Sequence, residues 1–439
     1  MKKMIQTSSY NKQHNISLVN KAFRFLLALL PLSLLLDASA QFIIKEGDDE
    51  SEIKTRTFVL PYIFSTETLG FGMGLGATYG PQSETLYYGT AYITDNGSSF
   101  LMLGGDNLKV PKIERLHLRP WLSFGHFTHM RVYIDGNPKF PNERAGSNES
   151  SKNNYREENA NDIIADFEFI YTLPWGNFRE DPVHTYITQN GLLKENPSGA
   201  ESWNPLQSGR STLLFRPYYR KQYTDAEAGE TLFFQIGFEH DNRDFVPNPH
   251  RGYLFKTTLS HDPNWLAESR QWTALEGELD GFIPLWDTTW SRQQTLALSV
   301  WTAYAPTYNI HSNSDDNGKP PYFVGPTLGG FWRMRAYPAN RFHDKASIYY
   351  SAEYRLMPEW QPFGEIDLLD PLKIRWWQIV GVVEVGRVAP SWDFEMLHSD
   401  LKYDYGIGLR GMFYTSVGRL DIMMSEEGTT FSVMFGQSF

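Results

Sequence analysis

From about Arg56 to Phe439 one local pattern recurs. Segments of about ten residues alternate in side-chain character and are separated by turn residues. In the last segment Phe431, Val433, Phe435, Gln437 and Phe439 share one face, and Ser432, Met434, Gly436 and Ser438 share the other. Segment 295–304 sets Leu296, Leu298, Val300, Thr302 and Tyr304 against Ala297, Ser299, Trp301 and Ala303. Segment 231–241 sets Leu232, Phe234, Ile236 and Phe238 against Gln235, Gly237, Glu239 and Asp241. A period of two belongs to strands. Large residues on one face and small or polar residues on the other suit a strand with lipid outside and a polar lumen inside. After Gln41 no run reaches the ~18 apolar residues of a transmembrane helix. A membrane chain without helices has to close its sheet, because an open edge leaves backbone N–H and C=O groups unsatisfied in hydrocarbon. The expected fold class is all-β, a transmembrane antiparallel β-barrel.

Composition agrees with this. Aromatic residues make up 15% of the chain (29 Phe, 24 Tyr, 13 Trp) while 21% is charged. Aromatic girdles around a polar lumen produce that mixture, although an aromatic-rich soluble β-sandwich would share it. Cysteine is absent, which excludes a disulfide framework, a thiolate metal centre and a cysteine nucleophile. Its absence also suits an oxidising export compartment. Residues 1–40 read as a signal peptide. Lys21 and Arg24 precede the apolar run 25–36, and Ala38-Ser39-Ala40 is an A-x-A cleavage signal. Loss of this segment removes Lys2, Lys3, Lys12, Lys21, Arg24 and Asp37 and takes the formal charge from −11 to −15. A surface this acidic excludes nucleic acid as a partner. Residues 41–55 are acidic and expected to be a short flexible segment, with 56–439 forming the barrel. The expected location is the bacterial outer membrane, with lipopolysaccharide and phospholipid as lipid partners.

Seventeen segments qualify as strands, among them 97–109, 112–125 and 127–137. Bacterial single-chain barrels have an even count, so one assignment is in error, in the first segment or within 97–137, and 16 strands are expected. Three polar connections are long: 138–160, 173–209 and 306–344. The first is rich in Asn, Glu and Ser and reads as a solvated loop. Counting back from the C-terminus places 138–160 and 306–344 outside. It places 173–209 on the periplasmic side, where turns are usually short. Either the count slips there or that segment is a periplasmic excursion.

The stretch 325–355 (GPTLGGFWRMRAYPANRFHDKASIYYSAEYR) is the most informative. A charged Arg335 sits among aromatics and glycines. If the loop folds into the lumen, its guanidinium needs carboxylate partners, because an unpaired buried charge is costly. Alternation puts Glu353 on the inner face of the following strand and Glu384 on the inner face of the next. Leu328-Gly329-Gly330 followed by Met334-Arg335-Ala336-Tyr337 resembles the sixth extracellular loop of the BamA/TamA superfamily, the outer-membrane assembly and translocation barrels also called bacterial surface antigens. In that family a Gly-Gly pair precedes an aliphatic-Arg-Gly-aromatic tetrad, and an Asp-x-Gly strand motif holds the arginine. Here Ala336 replaces the glycine, and Glu384-Val385-Gly386 stands where the family has Asp-x-Gly. The resemblance implies an inward-folded loop in which Arg335 pairs with Glu384, with Glu353 nearby. Alanine at 336 is penalised if the position needs a positive φ.

Two further motifs carry the resemblance. Asp241-Asn242-Arg243-Asp244, followed by Pro247, Pro249, Arg251, Gly252 and Tyr253, matches the family's D-x-R-D … P-x-x-G hairpin. The two aspartates alone suggest a metal site, but an arginine between them and a turn after them favour a charged periplasmic hairpin. The chain ends in Gly436-Gln437-Ser438-Phe439. With Phe435 this reads as the C-terminal signal by which many outer-membrane barrels are assembled. Motifs are recognisable over roughly 230–439; upstream, the resemblance rests on strand texture and on 61–76 (PYIFSTETLGFGMGLG).

Catalytic patterns are missing: no G-x-S-x-G, H-E-x-x-H or P-loop occurs. The alternating Gly70, Gly72, Gly74 and Gly76 precede no helix, and Asp315-Asp316-Asn317-Gly318 lacks the spacing of a calcium loop. No enzyme activity, metal or cofactor is expected. Most of the family carries periplasmic POTRA domains ahead of the barrel, and the ~15 residues after the cleavage site are too few for one. The resemblance implies a factor that assists insertion or export of outer-membrane proteins or surface lipoproteins within a complex, borrowing the missing periplasmic parts from other assembly proteins or lipoproteins. Two other readings stay open at this point: a passive channel or structural barrel, and a barrel enzyme.

Overall fold

A computed structural model describes residues 42–439 except 48–50, 53–56, 67–68, 81–84, 225–227, 287, 310–317, 363–373 and 414. The expected signal peptide lies outside the described residues. The chain begins with β1 (Phe42–Glu46) and β2 (Ser51–Glu52), then enters the barrel with β3 (Phe58–Thr66), β4 (Gly70–Tyr79), β5 (Leu86–Thr94), β6 (Ser99–Asp106), β7 (Leu108–Val110), β8 (Ile113–Val132) and β9 (Arg156–Thr172). Two short strands, β10 (His184–Gln189) and β11 (Leu192–Glu195), interrupt the meander. It resumes with β12 (Arg210–Thr224), β13 (Ala228–Asp241), β14 (Gly252–Asp262), β15 (Trp272–Pro284) and β16 (Ser291–Tyr304). The long loop that follows holds β17 (Thr327–Leu328) and β18 (Phe342–His343). The barrel ends with β19 (Ala346–Pro358), β20 (Ile374–Ala389), β21 (Lys402–Phe413), β22 (Ser416–Ser425) and β23 (Gly428–Phe435), with the short helix α1 (Phe394–Leu397) between β20 and β21.

The barrel is an antiparallel meander with β23 beside β3. Of its 17 segments, β6 and β7 are parts of one row split at Asn107 (φ 55°), and both pair with β8. That leaves sixteen rows among the described residues. The surplus segment was in 97–137, as one alternative held: 112–125 and 127–137 are the single 20-residue strand β8. Alternation sorts side chains as expected. Ile93, Ile236, Val383 and Ile407 point outward and are more than half exposed. A continuous apolar wall of this kind on a closed sheet is a lipid-facing surface. Inward, Glu353, Glu384, Asp404 and Asp421 are fully buried.

Two expectations about the ends of the barrel are corrected, and an open alternative at 173–209 is decided. Segment 41–55 is not simply flexible: β1 pairs in parallel with β10, from Phe42↔His184 to Glu46↔Thr188. With β2 and β11 they form a four-stranded sheet at the end of the barrel where the chain enters at β3 and leaves at β23. The count does not slip at 173–209; that segment folds at the end where the chain enters and leaves the barrel and supplies β10 and β11. Its hairpin turns on Asn190 (φ 53°) and Gly191 (φ 74°), the left-handed pair that suits a two-residue hairpin. Phe42, Ile44 and Tyr186 pack on Phe245 of the β13–β14 turn and on Met357, Trp376, Met412 and Val417 of the barrel wall, so apolar burial holds this sheet as a floor. Segment 138–160 is not a freely solvated loop. Ala145, Ser147, Asn148, Ser150 and Asn154 are buried against the outer mouth, and its last residues already belong to β9. Its polar composition reflects hydrogen bonding to neighbouring loops rather than to water.

Candidate functional site

The loop between β16 and β19 reaches into the lumen on a two-pair ladder, Thr327↔His343 and Leu328↔Phe342. Its turn is set by backbone geometry. Gly329 has φ +105°, and a Cβ there would lie 2.2 Å from the Pro338 carbonyl oxygen, so only glycine fits. Gly330, at φ +113°, donates its N–H to the Tyr337 carbonyl (3.0 Å). Met334 is left-handed (φ 55°) and fully buried among Trp301, Leu328, Tyr337, Phe342 and Tyr349, which hold it in that conformation.

This tip delivers Arg335 to the inner wall. Its side chain is 1% exposed and meets three carboxylates: Glu384 through Nε (2.9 Å), Glu353 through Nη2 (2.9 Å) and Asp421 through Nη1 (3.1 Å). Its backbone N–H donates to Glu384 (2.7 Å), and its carbonyl accepts from the Thr430 hydroxyl (2.8 Å). The Ala336 N–H donates to Asp404 (2.7 Å), and the Tyr337 hydroxyl to the Tyr403 carbonyl (3.1 Å). Five consecutive strands, β19 to β23, therefore grip one loop tip. Charge-assisted bonds of this kind are strong where water is excluded.

The alternation rule that placed Glu353 and Glu384 would also have found the rest of the cluster. Asp404 and Arg410 face inward on β21, and Arg419 and Asp421 face inward on β22. Arg410 bonds Asp421 (2.5 Å), and Arg355 bonds Glu353 (2.8 Å). Four arginines, Arg335, Arg355, Arg410 and Arg419, thus meet three carboxylates, Glu353, Glu384 and Asp421. Tyr349 donates to Glu384 and Ser438 to Glu353, each at 2.5 Å.

The alanine at 336 is not strained. Its φ is not positive, and its methyl packs with Val380, Val382 and Met423. Ala336→Gly, which restores the family residue, is therefore expected to destabilise the loop by about 0.5–1 kcal/mol through backbone entropy and a lost contact. A higher thermal midpoint for the variant would refute this.

The hairpin motif forms a closed turn. Arg243 pairs with Asp241 through two bonds of 2.8 Å, and Asp244 accepts from the N–H groups of Phe245, His250 and Arg251. Gly252 has φ +100°, and a Cβ there would lie 2.0 Å from the Asn242 carbonyl oxygen. Among the described residues no cluster of His, Asp and Glu could hold a metal ion. The C-terminus departs from the expected lipid-facing strand. β23 stops at Phe435, Gly436 turns at φ +86°, and Gln437, Ser438 and Phe439 enter the lumen. The Phe439 ring packs near Phe282 and under Arg355, because the cluster around Glu353 offers the tail a buried partner through Ser438.

A second clamp went unseen in the sequence. Arg341, fully buried, bonds Glu427 in the β22–β23 turn (2.8 Å) and the Ser150 hydroxyl and carbonyl (2.8 and 2.6 Å) in the loop after β8. Its guanidinium also stacks over Tyr133 and Phe342. Arg144–Asp344 ties two of the same loops, and Arg387 of β20 holds Glu149 of the loop after β8. No periodicity marks these residues, since loop-to-loop contacts have no repeat. Beside them His343 donates Nε2–H to the Tyr133 carbonyl (2.7 Å). Burial, with Lys319, Arg144 and Arg341 nearby, pushes its pKa down to about 3. The unfolded imidazole takes up its proton near pH 6.5 and the folded one does not, so this contribution is complete above that pH. It is lost as pH falls from 6.5 towards 3, by up to ~1.4 kcal/mol per unit. Protease nicking within 133–156 should rise from pH 7.5 to 4.5, and His343→Gln should flatten that rise. An unchanged slope would refute it.

Between floor and roof lies a cavity of about 460 Å3, bounded by Phe42 and Val246 below and Trp332 and Arg333 above. No family model and no curated protein matches this sequence. Solved structures do. CdiB from Escherichia coli aligns with a TM-score of 0.51 at 9% identity, over 89% of this chain and 63% of that one. CdiB from Acinetobacter baumannii gives 0.47 at 11% identity, over 89% and 64%. BamA from Haemophilus ducreyi lacking POTRA domains 1-3 gives 0.46 at 9% identity, over 88% and 71%. The chain thus spans about two thirds of the length of these proteins. In its barrel architecture, the chain has the fold of CdiB from Escherichia coli.

Proposed function

We propose that this outer-membrane barrel assists the insertion or export of other outer-membrane proteins or surface lipoproteins within a complex. The observation that carries the reading is the Arg335 site. A long loop is held inside the lumen by a buried charge cluster spread over five strands. A barrel that only had to span the membrane could close its lumen with apolar residues at lower desolvation cost. A cluster of this kind favours a loop kept in one defined arrangement on the strands next to the β23–β3 junction. Depletion followed by quantitative proteomics of the outer membrane tests it. Selective loss of a set of surface proteins supports the proposal, and an unchanged outer-membrane proteome overturns it.

The passive-channel reading is less well supported. Floor and roof both cross the lumen, so planar bilayers should show no stable large conductance; a steady, ungated large pore would favour that reading. For an enzyme, Ser211 and His240 are in contact (Oγ–Nδ1 2.9 Å), but both are buried, and Asp241 is engaged by Arg243. A nucleophile there has no path to a substrate carbonyl.

A further inference from the structure

The floor of the barrel is closed by a strand that does not belong to the hairpin beneath it. β10 and β11 are joined by a tight turn, while β1 comes from the other end of the sequence and adds in parallel to the free edge of β10. Three features define the place it occupies. The first is the backbone ladder, five residue pairs from Phe42↔His184 to Glu46↔Thr188. The second is an apolar recess on the lumen side that takes alternate side chains, Phe42 and Ile44, among Tyr186, Phe245, Met357, Trp376, Met412 and Val417. The third is a polar corner, where the Glu46 carboxylate accepts from the Thr188 hydroxyl (2.6 Å) and the Gly191 N–H (3.2 Å). Backbone bonds give such a slot affinity, and the alternate pockets give it selectivity. It selects an extended peptide with apolar residues at positions i and i+2 and a carboxylate at i+4.

We propose that β1 is an exchangeable plug, and that the β10 edge is the docking slot for an extended segment of a periplasmic partner with the same apolar-x-apolar-x-acidic pattern. Exchange is isosteric in the ladder, so β10 keeps its edge paired in both states. Only five residues separate β2 from β3 in sequence, so a displaced β1 stays tethered at the mouth and competes for its return. Phe42 also lines the cavity above, so its departure opens that cavity to the periplasmic side. The inference stands on the floor sheet and is independent of which proteins the barrel serves.

The test uses the full chain in detergent and a fluorescent synthetic peptide with the sequence of residues 42–47. The double variant Phe42→Asp/Ile44→Asp places charges in the apolar recess and empties the slot. It should bind the peptide at least about tenfold more tightly than the unmodified chain, whose slot is filled for most of the time. A scrambled peptide should bind neither. The chain has no cysteine, so Ser299→Cys introduces a single thiol on the cavity wall. Maleimide labelling of that thiol should accelerate in the double variant and slow again when the peptide is added. Two results overturn the proposal. One is a variant that migrates as a folded barrel yet binds the peptide no better than the scrambled one. The other is labelling that is equally fast with and without the double substitution. If the double variant does not fold, Glu46→Ala, which removes the bonds to Thr188 and Gly191, carries the same comparison with the same two overturning results.

Discussion

Arg335→Ala is expected to free the long loop from the lumen while leaving the outer barrel assembled. The substitution strips Glu384, Glu353 and Asp421 of a shared partner at a site where both sides are 0–1% exposed. Solvent screening is absent there, and breaking a buried pair costs about 3–5 kcal/mol because the remaining charge is left uncompensated. Arg355, Arg410 and Arg419 stay in the cluster and limit the loss. The sheet itself is held by its ladders, so the effect falls on the loop. Protease cleavage within 320–345 should rise sharply, and the heat-modifiability midpoint should drop. Arg335→Lys should recover only part of this, since one ammonium cannot span three carboxylates in the planar arrangement that a guanidinium provides. Wild-type protease resistance and wild-type activity in Arg335→Ala would sink both the clamp and the functional reading built on it.

Arg341→Ala should open the outer face by a different route. Arg341 joins three loops at once, through Glu427, through Ser150, and through the rings of Tyr133 and Phe342. Its removal leaves the Ser150 carbonyl and the Glu427 carboxylate short of donors, a loss of about 3 kcal/mol. Release should be seen as faster hydrogen exchange in both 133–156 and 320–345, with the Arg335 contacts intact. Exchange that changes in one loop only would show that the loops are not coupled through this residue. In the double variant with Arg335→Ala, the two effects should exceed their sum in loop release, because each clamp holds the same segment at a different end.

Much of this is legible in the sequence, for a physical reason. In a closed antiparallel meander each strand pairs with its neighbours in sequence, so the period of two decides which residues face lipid and which face the lumen. Glu353 and Glu384 were placed on the inner wall by that rule, and Arg335 was marked as the cation that needed them. Asp404, Arg410, Arg419 and Asp421 obey the same rule on β21 and β22 and are equally legible in the alternation of 402–426. The error in strand number arose within 97–137. There the 20-residue strand β8 runs well beyond the usual ten, and its change of texture near Gly125 imitates a turn.

The sequence by itself determined the barrel, its inward and outward faces and the residues of the Arg335 clamp, because those features follow from alternation between chain neighbours. The tertiary structure decided what closes the barrel at either end. β1 finds β10 across some 140 residues of chain, the last four residues turn inward at Gly436, and Arg341 gathers three loops. Such contacts join segments with no local pattern in common, and their energy comes from burial and charge pairing that exist only after the wall has brought the segments together.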